Sequence, residues 1–141
     1  MIRVSVAKKL HGQNGEFQFC ADLTIDSPHL TSIFGPSGSG KSTLLRMIAG
    51  LERPDSGIIE INKEIWFDGD KGINLPPQKR GIGFVFQEYN LLDTLTLEEN
   101  MALPLTIQGL GPEEIGLRVR KIADKLQIGD VLGKFPFQRA V

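Results

Sequence analysis

The stretch Gly35-Pro36-Ser37-Gly38-Ser39-Gly40-Lys41-Ser42 carries the residue types that a polyphosphate needs. It fits the pattern G-x-x-x-x-G-K-[ST] at every fixed position. A triphosphate is a dense anion, and holding it takes many donors at short range. Glycine at 35, 38 and 40 allows unusual backbone angles and lets successive N–H groups point inward. Lys41 brings a mobile point charge suited to β- and γ-phosphate oxygens, and the Ser42 hydroxyl suits Mg²⁺. Thr43 adds a hydroxyl or a backbone N–H on the α-phosphate side. The plain alternative is a chance glycine-rich turn, and the flanks count against it. The residues therefore predict a site for the phosphates of ATP, with Mg²⁺, over residues 35–43.

Those groups converge only if neighbouring elements hold them. Leu30-Thr31-Ser32-Ile33-Phe34 reads as a strand that stops at Gly35. Residues 42–49 have helix-forming types and meet Gly50, a good C-cap. Strand, glycine-rich loop and helix in that order turn the unpaired N–H groups and positive dipole end of the helix toward an anion. Upstream, residues 2–7 and 17–25 read as strands joined by the turn-like His11-Gly12-Gln13-Asn14-Gly15. Downstream, Pro54-Asp55-Ser56-Gly57 is a turn, and residues 58–61 and 65–67 are predicted strands. A second turn at residues 68–72 and an extended connector, Leu75-Pro76-Pro77-Gln78, follow.

Ile82-Gly83-Phe84-Val85-Phe86 is a nearly continuous apolar run, as in a strand buried on both faces. It ends at Gln87. A parallel sheet delivers polar residues to a ligand at the carboxyl ends of its strands, and an amide oxygen there is able to coordinate Mg²⁺. From residue 96 the character turns helical. Thr96 and Glu99 match a capping box, and that helix is expected to end near Pro104. Pro112 opens the next helix, with Glu113 and Glu114 near its positive end. Ile115, Val119, Ile122 and Leu126 form its predicted packing stripe.

Composition narrows the classes. The 141 residues suffice for one domain with a core and are too few for two. A formal charge of −1 leaves no electrostatic footprint for nucleic acid, so no nucleic-acid partner is expected. No apolar run nears the roughly 18 residues that span a bilayer, and the N-terminus lacks a signal-peptide core. A cytoplasmic location is expected. The single cysteine, Cys20, excludes an internal disulfide and, after Phe17 and Phe19, is expected to be a buried structural thiol.

The residues after the loop, Ser42-Thr43-Leu44-Leu45-Arg46-Met47-Ile48-Ala49-Gly50-Leu51-Glu52-Arg53-Pro54-Asp55-Ser56-Gly57, resemble the nucleotide-binding subunits of ABC transporters. Arg80-Gly81-Ile82-Gly83-Phe84-Val85-Phe86-Gln87 looks like that family's Q-loop strand. Leu91-Leu92 and Thr94-Leu95-Thr96 through Asn100 fit the start of its helical subdomain. The resemblance covers nearly the whole chain. It implies an α/β fold of the P-loop NTPase type, incomplete, with N-terminal antiparallel strands. By the same resemblance residues 1–95 are the nucleotide-binding core with its β subdomain, 96–138 the start of the helical subdomain, and 139–141 a divergent tail. Gln87 would be the Q-loop glutamine, touching Mg²⁺ and water and leading into the contact with membrane-spanning transporter subunits. A second ATPase subunit, as a homodimer of the full-length form, and a position on the inner face of the cell membrane are also implied. Residues 65–68 and 72–80 look like molybdate-importer ATPases, whereas 89–92 and 102–105 are similar to lipoprotein-release and peptide-export systems. An importer of molybdate or a related oxyanion is the favoured member.

Two departures stand out. The family stacks adenine on an aromatic residue upstream of the loop, where this chain has about Leu10; Phe17 or His11 is the available substitute. Lys134-Phe135-Pro136-Phe137-Gln138 resembles the lead-in to the family's signature, but the signature, the Walker B strand and the switch histidine are not in these residues. No catalytic residue is therefore assigned, and the 141 residues alone are expected not to hydrolyse ATP. A non-catalytic nucleotide-binding or regulatory fragment shares every residue of this reading. A P-loop kinase fits less well, because a Q-loop strand and helical region follow where a lid and acceptor site belong.

Overall fold

The computed structural model describes residues 1–12, 15–26, 29–88 and 90–139. The expected turn at Gln13 and Asn14, the Tyr89 end of the 89–92 segment, and Ala140 and Val141 of the tail lie outside the described residues. The chain divides into two compact units, Met1–Phe84 and Val85–Val141.

The first unit is a twisted antiparallel sheet carrying one helix. Strands β1 (Ile2–Gly12), β2 (Gly15–Ile25), β3 (Ser56–Ile61), β4 (Glu64–Asp68) and β5 (Ile73–Asn74) lie in the order β2-β1-β3-β4-β5. Every neighbouring pair is antiparallel. Val4 sits opposite Leu23 on one side and Ile59 on the other, so alternate residues of three strands share one face. Asn62 and Lys63 take positive φ of 50° and 71°, the backbone twist of a two-residue primed turn between β3 and β4. Helix α1 (Lys41–Ala49) buries Leu44 and Met47 against Val4, Val6, Ile59, Trp66 and Phe67. Phe19, Ala21 and Leu23 of β2 join this core at its margin.

Cys20 is exposed, against the expectation of a buried thiol. The period of two places it on the face of Gln18, Asp22 and Thr24, opposite Phe19 and Ala21. Residues 30–34 and 82–86, both read as strands, are also corrected. Neither belongs to the sheet, and Leu30, Phe34 and Val85 are almost fully exposed. A strand exists only where a neighbouring backbone runs about 4.8 Å away, and an apolar run supplies no such neighbour.

In the second unit α2 (Leu97–Ile107) and α3 (Pro112–Leu126) pack together, followed by short 3₁₀ turns at Gly129–Val131 and Pro136–Arg139. The capping box is formed: the Thr96 hydroxyl accepts from Glu99 N–H, and the Glu99 carboxylate accepts from Thr96 N–H at 2.7 Å. Those hydrogen bonds to Thr96 hold the Glu99 carboxyl below its ordinary range. Helix α2 runs through Pro104 instead of ending there. Proline removes one N–H, yet the turn beyond it closes through Gln108 N–H to Pro104 O at 3.2 Å. On α3 the buried residues are Val119 and Ala123, while Ile122 and Leu126 of the predicted stripe are exposed. Residues 115, 119 and 123 follow the i, i+4 line, and that line faces inward.

Candidate phosphate-binding site

The loop of residues 35–40 enters α1 through a left-handed turn. Gly38 and Gly40 have φ of 78° and 88°, angles that a side chain disfavours. Ser39 N–H closes a turn on Pro36 O at 3.3 Å, and Leu44 N–H makes the first helical bond to Gly40 O at 2.9 Å. Gly40 is the N-cap and has no side chain to occupy the first amides of α1. The amides of Lys41, Ser42 and Thr43 are thus at a helix start without a side-chain cap, the arrangement that suits an anion. Residues 35–39 are exposed, as is Ser42, and Thr43 is half-buried.

The Lys41 ammonium folds back over this loop. Its Nζ donates to Gly35 O at 2.9 Å, Pro36 O at 2.7 Å and, at 3.4 Å, Ser39 Oγ. It sits beside the loop without a carboxylate partner among the ion pairs of the described residues. Three carbonyl and hydroxyl oxygens are what phosphate oxygens would replace.

Phe19, on the neighbouring strand, fixes the height of the loop. A Cβ built on Gly40 would stand 2.5 Å from Phe19 Cδ2, so only glycine permits this approach. The aromatic candidates in the sequence are Phe17 and His11. Phe17 is 40% exposed, and His11 Nε2 pairs with Glu16 Oε1 across the hairpin at 2.7 Å. The aromatic ring brought against the loop is that of Phe19. Strand periodicity, which aligns Phe19 with the core-facing Ala21 and Leu23, was the signal that points to it.

The far end of α1 is held by two sets of contacts. Gly50, at φ 78°, returns its N–H to Met47 O, and Leu51 N–H returns to Arg46 O. Beyond it, Lys8 of β1 lies 3.7 Å from Glu52 and 3.8 Å from Asp55, and donates to Arg53 O at 2.8 Å. The second set comes from Arg80, which is 1% exposed. Its Nη1 donates to Met47 O and Ile48 O at 2.8 Å, its Nε to Leu75 O at 2.8 Å, and its Nη2 to Asn74 Oδ1 at 3.2 Å. Cζ lies 5.8 Å from the centroid of the Trp66 ring. Burial pushes the guanidinium pKa down from its usual value. Arg80 was placed by resemblance in a strand and given no role of its own. No local pattern reveals it, because its partners come from residues 47, 48, 66, 74 and 75.

Residues 35–43 thus converge within the first unit, on one loop and one helix start. Gln87 belongs to the second unit, where it is exposed and lies at a bend. Among the described residues there is no group of three or more His, Cys, Asp or Glu side chains able to hold a metal. A hydroxyl such as that of Ser42 and an amide oxygen such as that of Gln87 are each neutral oxygen donors of the kind Mg²⁺ accepts beside phosphate and water.

The family model described as "ABC transporter" matches residues 20–139. The chain belongs to the ABC transporter family. Among its relatives is the spermidine/putrescine import ATP-binding protein PotA of Nitrosomonas europaea, 43% identical over 84% of this chain and 31% of that protein. The molybdenum import ATP-binding protein ModC of Pseudomonas syringae pv. tomato is 47% identical over 64% of this chain and 25% of its own. The chain spans about a third of the length of the first curated relatives it matches. Among solved structures, the dimeric post-hydrolysis state of the ATP-binding cassette MJ0796, bound to ADP and Pi, superposes with a TM-score of 0.80 at 30% identity. That match covers 99% of this chain and 63% of the cassette. The fold is therefore that of an ABC ATPase cassette, present in part. Among the described residues no helix is long and apolar enough to cross a membrane.

Proposed function

We propose that this chain carries the ATP-phosphate site of the ATP-binding subunit of an ABC importer. The observation that carries the reading is the conjunction at one place of a left-handed glycine loop, an uncapped helix start and the Lys41 ammonium. Gly35, Pro36, Ser37, Gly38, Ser39 and Gly40 form the cradle, and Lys41 exchanges its carbonyl partners for phosphate oxygens. The amides of Lys41, Ser42 and Thr43 complete it. Ser42 and Gln87 would hold Mg²⁺, which supplies neutralising charge to the phosphates when bound. The cassette solved with ADP and Pi supports a nucleotide as ligand.

Residues 1–95 are assigned to the nucleotide-binding core with its β subdomain, and 96–138 to the start of the helical subdomain. Gln87 and the helical region are the side on which membrane-spanning subunits would dock, placing the protein peripherally on the inner membrane face. A second ATPase subunit is the expected mate of the full-length form, and the dimeric cassettes support this. For the cargo, molybdate or a related oxyanion is favoured by residues 65–68 and 72–80 and by the molybdenum-import relatives. Polyamine, sulfate and sugar importers are comparably similar, so the support for import is broader than that for any one cargo.

The test is Mg-ATP binding by calorimetry, in the native chain and in Lys41→Ala. Affinity should fall steeply with the circular dichroism spectrum unchanged. A Lys41→Ala chain that is folded and binds as the native one does would remove the assignment. The cargo reading is tested separately, with hybrids in which residues 1–139 replace the matching part of a molybdate importer's ATPase and of a polyamine importer's. Molybdate uptake no better supported than polyamine uptake would refute it.

A further inference from the structure

The guanidinium of Arg80 makes more contacts than capping a helix requires. Met47 O already accepts from Gly50 N–H and takes Arg80 Nη1 as well, Ile48 O takes Arg80 Nη1, and the rest of the fork reaches beyond the helix. Taking a charge out of water is costly, and a buried cation is a poor device for stability alone. What a planar fork does well is to fix several acceptors in one geometry. Here it joins three segments: the carboxyl end of α1, the end of β5 through Asn74 Oδ1 and Leu75 O, and β4 through Trp66 O at 3.5 Å. Trp66 of β4 forms the wall under the guanidinium. Gly50 makes room, because a Cβ there would lie 2.6 Å from Arg80 Nε.

We propose that Arg80 is a positioning residue for phosphate binding, holding the carboxyl end of α1 so that its amino end presents Gly40, Lys41 and Ser42 in a fixed direction. A helix of nine residues is about 13 Å long and moves as a rod. Displacement at Met47 is passed on to the loop. Binding constellations tolerate only about 0.5 Å and 10–20° of such error. The inference rests on the phosphate-site reading above.

The experiment compares the native chain with Arg80→Lys, Arg80→Met and Lys41→Ala. Mg-ATP affinity is measured by calorimetry at a temperature where circular dichroism shows each variant folded. Amide shifts of Gly40 and Lys41 are read from ¹⁵N spectra without nucleotide. Positioning gives an affinity loss of roughly tenfold in both Arg80 variants, the low end of what outer supports of a binding site cost. It also gives displaced Gly40 and Lys41 amide resonances, since lysine keeps the charge but not the fork. A lowered unfolding midpoint with native affinity and native loop shifts would show that Arg80 serves folding only. Should Arg80→Met not fold, Arg80→Lys decides alone, and a lysine variant that also fails to fold overturns the proposal. Lys41→Ala separates the two readings. If it abolishes binding while the Arg80 variants bind normally, only the positioning role fails; if it binds normally, the phosphate site itself fails.

Discussion

Replacing Gly40 with alanine tests how the loop is supported against the sheet. Two costs follow from the geometry. At φ 88° an L-residue lies in the left-handed region, which costs about 1–2 kcal/mol. The new Cβ also stands 2.5 Å from Phe19 Cδ2, whereas carbon atoms rest at about 3.5–4.0 Å, so the ring must retreat by roughly 1 Å. The ring packs on the core, and overpacking of this kind costs about 1–3 kcal/mol. The single variant should therefore lose about 2–5 kcal/mol, a large share of the stability of a small domain. In a Phe19→Ala background the steric part vanishes and only the backbone part, about 1–2 kcal/mol, remains. Urea unfolding of the native chain, both single variants and the double variant closes the cycle. A favourable coupling of about 1–3 kcal/mol is expected. Additivity within about 0.5 kcal/mol would show that the Phe19 ring does not bear on Gly40, and the support argument would fall.

The capping box makes a pH statement. Glu99 has its folded-state pKa lowered, so its contribution is present above the unfolded value, about 4.3, and is lost as pH falls through the folded one. Acid titration of helical circular dichroism should show this loss, and Glu99→Gln should flatten it; identical acid profiles would contradict the cap. For hydrolysis, the expectation from the sequence is that the 141-residue chain alone gives no steady-state phosphate release. Turnover that survives purification and vanishes in Lys41→Ala would overturn that expectation.

The glycine-rich loop and the helix start after it were legible because their signal is local. Donors, cation and helix start must be adjacent in sequence, so the spacing from Gly35 to Ser42 carries the geometry almost unaided. The capping box at Thr96 and Glu99 and the glycine cap at Gly50 were readable for the same reason. Residues 30–34 and 82–86 were not, because pairing belongs to two segments and apolarity reports only one. Cys20 was misplaced by weighing its neighbours as a run when the strand sorts them by alternation. Arg80 stayed hidden because its acceptors are assembled only by folding. Pro104 reads as a helix end, but it removes only one backbone donor, and α2 continues past it.

The outward-facing position of Cys20 has a consequence for how assembly is studied. It lies on β2, which has a sheet partner on one side only among the described residues, and its thiol is exposed. Two chains meeting along that strand in air would be able to form an intermolecular disulfide, giving a covalent dimer that owes nothing to nucleotide. Such a species would migrate at the same mass as the dimer proposed above. Association is therefore best measured on Cys20→Ser or under reductant, where no disulfide contributes.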